Sequence, residues 1–136
     1  MSYYKPIVQS FKVPYEYKLH FTEHVFKSDN TLFRDLILDY NPKGEVKVLF
    51  VIDSGVLEAH SKLSDQITAY CQKYSGTIKG TEQIVVPGGE QCKNDYGHIE
   101  RILQAINDNR ICRHSFVVAI GGGAIIDMAG YAAAIA

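Results

Sequence analysis

Residues 116–136 read Phe-Val-Val-Ala-Ile, then Gly121-Gly122-Gly123, then Ala-Ile-Ile-Asp127-Met-Ala-Gly130-Tyr-Ala-Ala-Ala-Ile-Ala. The short, β-branched apolar run predicts a strand buried on both faces. The small helix-formers after the glycines predict a helix. Strand, glycine turn and helix make the layout of a backbone phosphate cradle. Glycines let the chain turn sharply and let a ligand approach the peptide nitrogens. The start of the helix, at Ala124, offers unpaired N–H groups and the positive end of a dipole to an anion. Asp127 falls about one turn in, where a carboxylate favours the dipole and could reach a sugar hydroxyl beside the phosphates. The spacing is not that of G-x-G-x-x-G, so a different kind of phosphate site is expected. The plainer alternative is a tight turn without a ligand, with Asp127 serving its own helix. The run is long enough for a membrane span, but three glycines and a central aspartate argue against one.

Composition narrows the class. The 136 residues suit one domain, and 46% hydrophobic content allows a sizeable core. Fourteen Lys and Arg against fifteen Asp and Glu leave a net charge of −1 with no basic face, so nucleic acid is not an expected partner. The N-terminus lacks the apolar core of a signal peptide, and no membrane partner is expected. Cys71, Cys92 and Cys112 form no C-x-x-C pair and read as free thiols of a cytoplasmic protein. The last residue, Ala136, falls inside an apolar helix without a cap, which reads as a truncated domain. An uncovered Ala-rich helix would invite partner contacts, and a homodimer is the candidate association.

Along the chain, Tyr15–Phe21 alternates Tyr, Glu, Tyr, Lys, Leu, His, Phe, which predicts a half-buried, aromatic-rich N-terminal strand. His20 and His24 would lie roughly 13 Å apart on such a strand, too far to share an ion. Leu32, Phe33, Leu36, Ile37 and Tyr40 predict a short helix, closed by Asn41-Pro42-Lys43-Gly44. Val46–Ile52 predicts a second buried strand running into Asp53-Ser54-Gly55. A carboxylate at that point either accepts ribose hydroxyls at the rim of a sheet or caps the next helix. Val56–Tyr74 predicts one helix, with His60 on its apolar stripe. Thr81–Val86 predicts a strand, followed by Pro87-Gly88-Gly89-Glu90-Gln91-Cys92-Lys93. A lysine there suits a phosphate and a glutamate suits a ribose or the lysine itself; the bland reading is an exposed Glu90–Lys93 pair. Asn94 or Asp95 then caps a helix carrying Tyr96, Ile99, Ile102, Leu103 and Ile106. Strands alternating with helices predict an α/β fold: a Rossmann-like parallel sheet with flanking helices and right-handed crossovers. In it Asp53, the Gly88–Lys93 loop and the Gly121 turn share one edge.

The order Asp53-Ser-Gly, Gly89-Glu90-x-x-Lys93 and Gly121-Gly-Gly-x-x-x-Asp127-x-x-Gly130-Tyr131 resembles the N-terminal half of the 3-dehydroquinate synthase family, among the sugar phosphate cyclases. The resemblance runs from about Val46 to Ala136. It implies an NAD-binding domain over residues 1–136. In that domain Asp53 contacts the adenosine ribose, and Glu90 and Lys93 lie over the nucleotide from the loop opened by Gly89. Gly121 opens the turn, Gly122, Gly123 and Ala124 cradle the pyrophosphate, and Asp127 holds the nicotinamide-side ribose. One departure is Ile126, where family members commonly have glycine.

The implied reaction, in the shikimate route to aromatic amino acids, turns a seven-carbon 3-deoxy sugar-acid phosphate into a carbocycle with loss of phosphate. It uses NAD and a divalent metal, zinc or cobalt. The metal ligands and substrate lysines belong to the family's later half, so no catalytic or metal-binding residue is assigned here, and the chain alone is expected to be inactive. Two alternatives remain at this stage. One is the cofactor domain of a metal-dependent glycerol or alcohol dehydrogenase, which shares the Gly-Gly-Gly-x-x-x-Asp turn. The other is a nucleotide-binding module without catalysis.

Overall fold

The computed structural model describes residues 3–136, with the side chain of Cys92 outside the described set. Its elements run α1 (Leu32–Tyr40), β1 (Val46–Asp53), α2 (Ser54–Ala59), α3 (Leu63–Lys73), β2 (Ile78–Val86), α4 (Tyr96–Asp108), β3 (Phe116–Ile120) and α5 (Gly123–Ile135), with a 3-10 helix at Glu90–Asn94. The three strands form a parallel sheet in the order β2-β1-β3. This is the expected α/β, Rossmann-like arrangement with helices against the sheet.

The central strand, β1, carries Val-Lys-Val-Leu-Phe-Val-Ile-Asp, and Val48 through Ile52 are essentially inaccessible. Alternate side chains serve two cores. Leu49 and Val51 pack with Ile84, Val86, Ile102, Ile106, Ile125 and Met128. Val48, Phe50 and Ile52 pack with Phe26, Ile37, Ile67, Tyr70 and Ile78. Each fully buried Val, Leu, Ile or Phe contributes roughly 1.5–3 kcal/mol relative to exposure, so β1 is the largest single source of hydrophobic stabilisation. The second core contains an edge-to-face aromatic group, with Phe26 at 5.5 Å from Phe33, 5.9 Å from Phe50 and 5.7 Å from Tyr70, centroid to centroid.

Parallel pairing is level at the strand ends: Asp53 opposes Val86, and Ile52 opposes Ile120. The register slips once, where Val48 pairs with Gly80 and Leu49 with Glu82, leaving Thr81 as the extra residue. Gly80 makes a close approach there: a Cβ would stand 3.0 Å from Cys71 Sγ.

Three expectations need correction. Residues 15–21 do not form a strand, and Tyr15, Tyr17, Leu19 and Phe21 are largely exposed. Alternation stabilises a strand only when a neighbour accepts its backbone hydrogen bonds and a core covers one face, and no other element supplies either among the described residues. The helix expected at Val56–Tyr74 is two helices, interrupted at His60-Ser61-Lys62. Asp53 starts α2, His60 ends it, and His60 is exposed rather than on an apolar stripe. The five residues from Glu58 to Lys62 include no large apolar side chain, so burial does not hold that turn in register. Finally, β3 is half-buried along its whole length, because it is an edge strand with one side open.

The thiols of Cys71 and Cys112 are unpaired. Burial pushes the Cys71 thiol up, whereas the backbone N–H of His114 and the Ser115 hydroxyl pull Cys112 down. No helix among the described residues is long and apolar enough to cross a membrane.

Two outcomes follow for the folded chain. Iodoacetamide at neutral pH should modify Cys112 well before Cys71, as read by peptide mass spectrometry over time. The Tyr70 hydroxyl donates to the Asn30 carbonyl (2.8 Å) and accepts from the Arg34 N–H (3.2 Å). Tyr70→Phe strands both groups and should lower unfolding stability by about 1–3 kcal/mol in urea titrations.

Candidate functional site at the strand-end rim

The level register brings the three post-strand loops together, and Asp53 is where they meet. Asp53 ends β1 with φ −64° and ψ 127°, and its Oδ1 accepts the Gly55 N–H at 2.8 Å. Of the two roles open in the sequence, the helix cap is therefore formed. The other carboxylate oxygen lies against the loop after β2: a Cβ on Gly88 would fall 2.0 Å from Asp53 Oδ2. On the opposite side, a Cβ on Gly121 would fall 2.9 Å from Asp53 Cβ and 3.1 Å from Ile125 Cβ. Both neighbouring loops thus approach Asp53 so closely that only glycine fits at each contact.

Gly89, the next residue, has φ +87°, a conformation that favours glycine. It turns the chain into the 3-10 helix that carries Glu90 and Lys93. Three residues per turn bring positions 90 and 93 to the same face. Lys93 Nζ stands 3.4 Å from Glu90 Oε2, the local pair expected from the sequence. It makes a shorter contact with Asp127 Oδ2, at 2.8 Å, on α5. The hydrogen bond to Asp127, with Glu90 adding to it, holds the Lys93 ammonium above its ordinary pKa. Lys93 is accordingly a cation with two carboxylates on it, and it ties the loop after β2 to the helix after β3.

The glycine turn itself is open. Gly122 is the N-cap of α5 and supplies no side-chain cap. A Cβ on Gly89, Gly122 or Gly123 would meet nothing within 4 Å. A ligand could therefore reach the backbone there. The first N–H groups of α5 have no intrahelical acceptors and sit at the positive end of its dipole. Ala124 is different: its side chain is buried in the core with Ile125, Met128, Ala129 and Ala132, so only its backbone could serve a ligand. Asp127 is on the exposed face of the same helix, as are Gly130 and Tyr131.

All nine residues selected from the sequence therefore lie on three adjoining loops and helix starts. They divide into two clusters, Asp53 with Gly121 and Glu90 with Lys93 and Asp127, while Gly89, Gly122 and Gly123 leave open surface and the Ala124 side chain joins the core. The sequence reading missed Gly88 as a contact residue; its only signal was a second glycine beside Gly89 in the loop after β2. It also missed the Lys93–Asp127 pair, which joins residues 34 positions apart. A concavity of about 510 Å³ lies away from this rim between α3 and β2, lined in part by Phe50, Ile67, Cys71 and Gly80. Among the described residues no group of three or more His, Cys, Asp or Glu side chains is placed to hold a metal ion.

Comparison with known proteins agrees with the resemblance. The family profile described as 3-dehydroquinate synthase N-terminal matches residues 83–136, which contain the Gly89–Lys93 loop and the whole Gly121 turn. A 3-dehydroquinate synthase of Staphylococcus epidermidis is 34% identical over 92 residues, covering 68% of this chain and 23% of that protein. One from Gloeobacter violaceus is 47% identical over 53 residues, 39% of this chain and 14% of that protein. One from Shewanella sp. is 29% identical over 119 residues, 87% of this chain and 29% of that protein. The chain thus spans less than a third of the length of each of these relatives.

The contact at Asp53 has a measurable signature. Gly88→Ala should destabilise the fold by about 1–3 kcal/mol, the usual cost of forcing a methyl into a filled site. In an Asp53→Ala background most of that cost should vanish, giving a clear coupling energy in a double-mutant unfolding cycle. Additive effects would mean that Gly88 does not rest on Asp53.

Proposed function

We propose, from the premise that residues 83–136 belong to the 3-dehydroquinate synthase N-terminal family, that this chain forms the dinucleotide-binding part of a 3-dehydroquinate synthase-like enzyme. The observation that carries the reading is the open glycine turn at the start of α5 together with a lysine paired to an exposed carboxylate on that same helix. A dinucleotide asks for that combination: backbone donors and a cation for the pyrophosphate, and carboxylates for the ribose hydroxyls.

In this reading the pyrophosphate of NAD lies on the backbone of Gly122, Gly123 and Ala124, within reach of Lys93. Asp53 faces the adenosine ribose while keeping its cap to Gly55. Asp127 faces the nicotinamide-side ribose, and Glu90 orients Lys93 from below. Gly89 and Gly121 supply the backbone shape rather than contacts of their own.

NAD would supply reversible hydride acceptance in a phosphate-eliminating lyase reaction on a 3-deoxy-heptulosonate-type sugar phosphate. The residues described here would bind and orient it. We assign them no proton transfer. The divalent metal implied by the resemblance, zinc or cobalt, has no ligand set among the described residues.

The experiment is a titration of NAD into the 136-residue chain, followed by calorimetry or by quenching of tyrosine fluorescence. Saturable binding is expected, and Asp127→Ala should weaken it about tenfold or more, the loss typical of hydrogen bonds to a charged group. Binding that ignores Asp127→Ala would place the dinucleotide elsewhere. No binding would remove the dinucleotide reading for this chain.

A further inference from the structure

We propose that the Lys93–Asp127 pair is a latch across the cofactor site: it occupies both ligand-binding side chains in the free chain, and an incoming dinucleotide must open it. The inference rests on the dinucleotide reading and adds to it a competition built into the site. The contact is not local. Lys93 belongs to the 3-10 helix after β2, and Asp127 to the helix after β3, on opposite sides of β1 in the sheet. Strands are spaced about 4.8 Å apart, so the chain segments it joins start from strands roughly 10 Å apart. The side chains cross that gap to meet at 2.8 Å.

The chemistry sets the pair in competition with a ligand that needs the same two groups. A lysine that faces two carboxylates, Asp127 at 2.8 Å and Glu90 at 3.4 Å, already has acceptors for its ammonium before any phosphate arrives. An aspartate that accepts a hydrogen bond from Lys93 has that oxygen taken before any ribose arrives. The pair is also easy to open. Both side chains are partly solvated, with 38% of Lys93 and 67% of Asp127 exposed, and exposed pairs are weak. Pyrophosphate is a richer acceptor for the ammonium than a single carboxylate, and two ribose hydroxyls can take over the carboxylate. A dinucleotide, which offers both groups at once, satisfies both halves of the opened latch. ADP offers the phosphates and the adenosine ribose but no nicotinamide-side ribose, so with ADP the Asp127 carboxylate loses its partner and gains nothing.

The test compares ADP and NAD by calorimetry on the wild-type chain, Asp127→Asn, Lys93→Met and the double variant. Far-UV circular dichroism confirms that each variant is folded, as expected for two partly exposed side chains. A latch predicts that Asp127→Asn raises ADP affinity by roughly two- to fivefold, the range set by breaking an exposed pair. The same substitution should lower NAD affinity. It further predicts that the gain for ADP disappears when Lys93 is already Met. A gain that persists without Lys93 would be plain relief of charge repulsion and would overturn the latch. A loss of ADP affinity in Asp127→Asn would also overturn it, because Asp127 would then be holding Lys93 in position for phosphate. Either result leaves the dinucleotide reading standing, provided the wild type binds NAD. A wild-type chain that binds neither nucleotide would sink that reading and the latch together.

Discussion

The strand β1 must be covered on both faces, and the remainder of the structure depends on that constraint. Five consecutive residues, Val48 to Ile52, have almost no contact with solvent. No single helix can cover both sides of a strand, so α1 and α3 pack from one side while α4 and α5 pack from the other. Parallel neighbours then have to enter from crossovers, and their ends fall level with Asp53. The rim is therefore a by-product of burial. Its chemical character comes afterwards, from the glycines that let two loops close down on one carboxylate.

That order of causes explains what could be read in the sequence. The strands at Val46 and Phe116 and the helices at Leu32, Tyr96 and Gly123 were legible because apolar spacing and the flanking turn residues point the same way at each. Asp95 caps α4 through the Gly97 N–H at 2.9 Å, one of the two candidates foreseen. The β2 strand begins at Ile78, three residues earlier than its β-branched run suggests, because pairing with Val46–Val48 continues through Lys79 and Gly80. The nine site residues were legible as positions after strands. Their partners were not: spacing cannot say that Lys93 turns from Glu90 toward Asp127, since that contact depends on how α5 is placed over the sheet.

The failures have a common physical origin. Tyr15–Phe21 and Val56–Tyr74 both show good local periodicity, and in both the deciding interaction is absent or interrupted. Among the described residues the aromatic segment has no neighbouring strand, and the long helix has no large apolar side chain across one turn. Periodicity states which face a segment could bury; it says nothing about whether a surface exists to receive it. For β3 the composition was right and the position wrong, because an apolar run looks the same in the middle of a sheet and at its edge.

The slip in register between β1 and β2 has a consequence for how this sequence can drift. Gly80 lies against the sulfur of Cys71, close enough that a methyl group would touch it. A side chain at position 80 and a thiol at position 71 are therefore alternatives for the same volume. With cysteine on α3 a side chain in the bulge must displace the sulfur by a few tenths of an ångström, and shrinking position 71 to alanine removes that contact while leaving its Cβ 3.3 Å away. The two sites should change hands together across descendants of this chain, a paired signature visible in sequences alone.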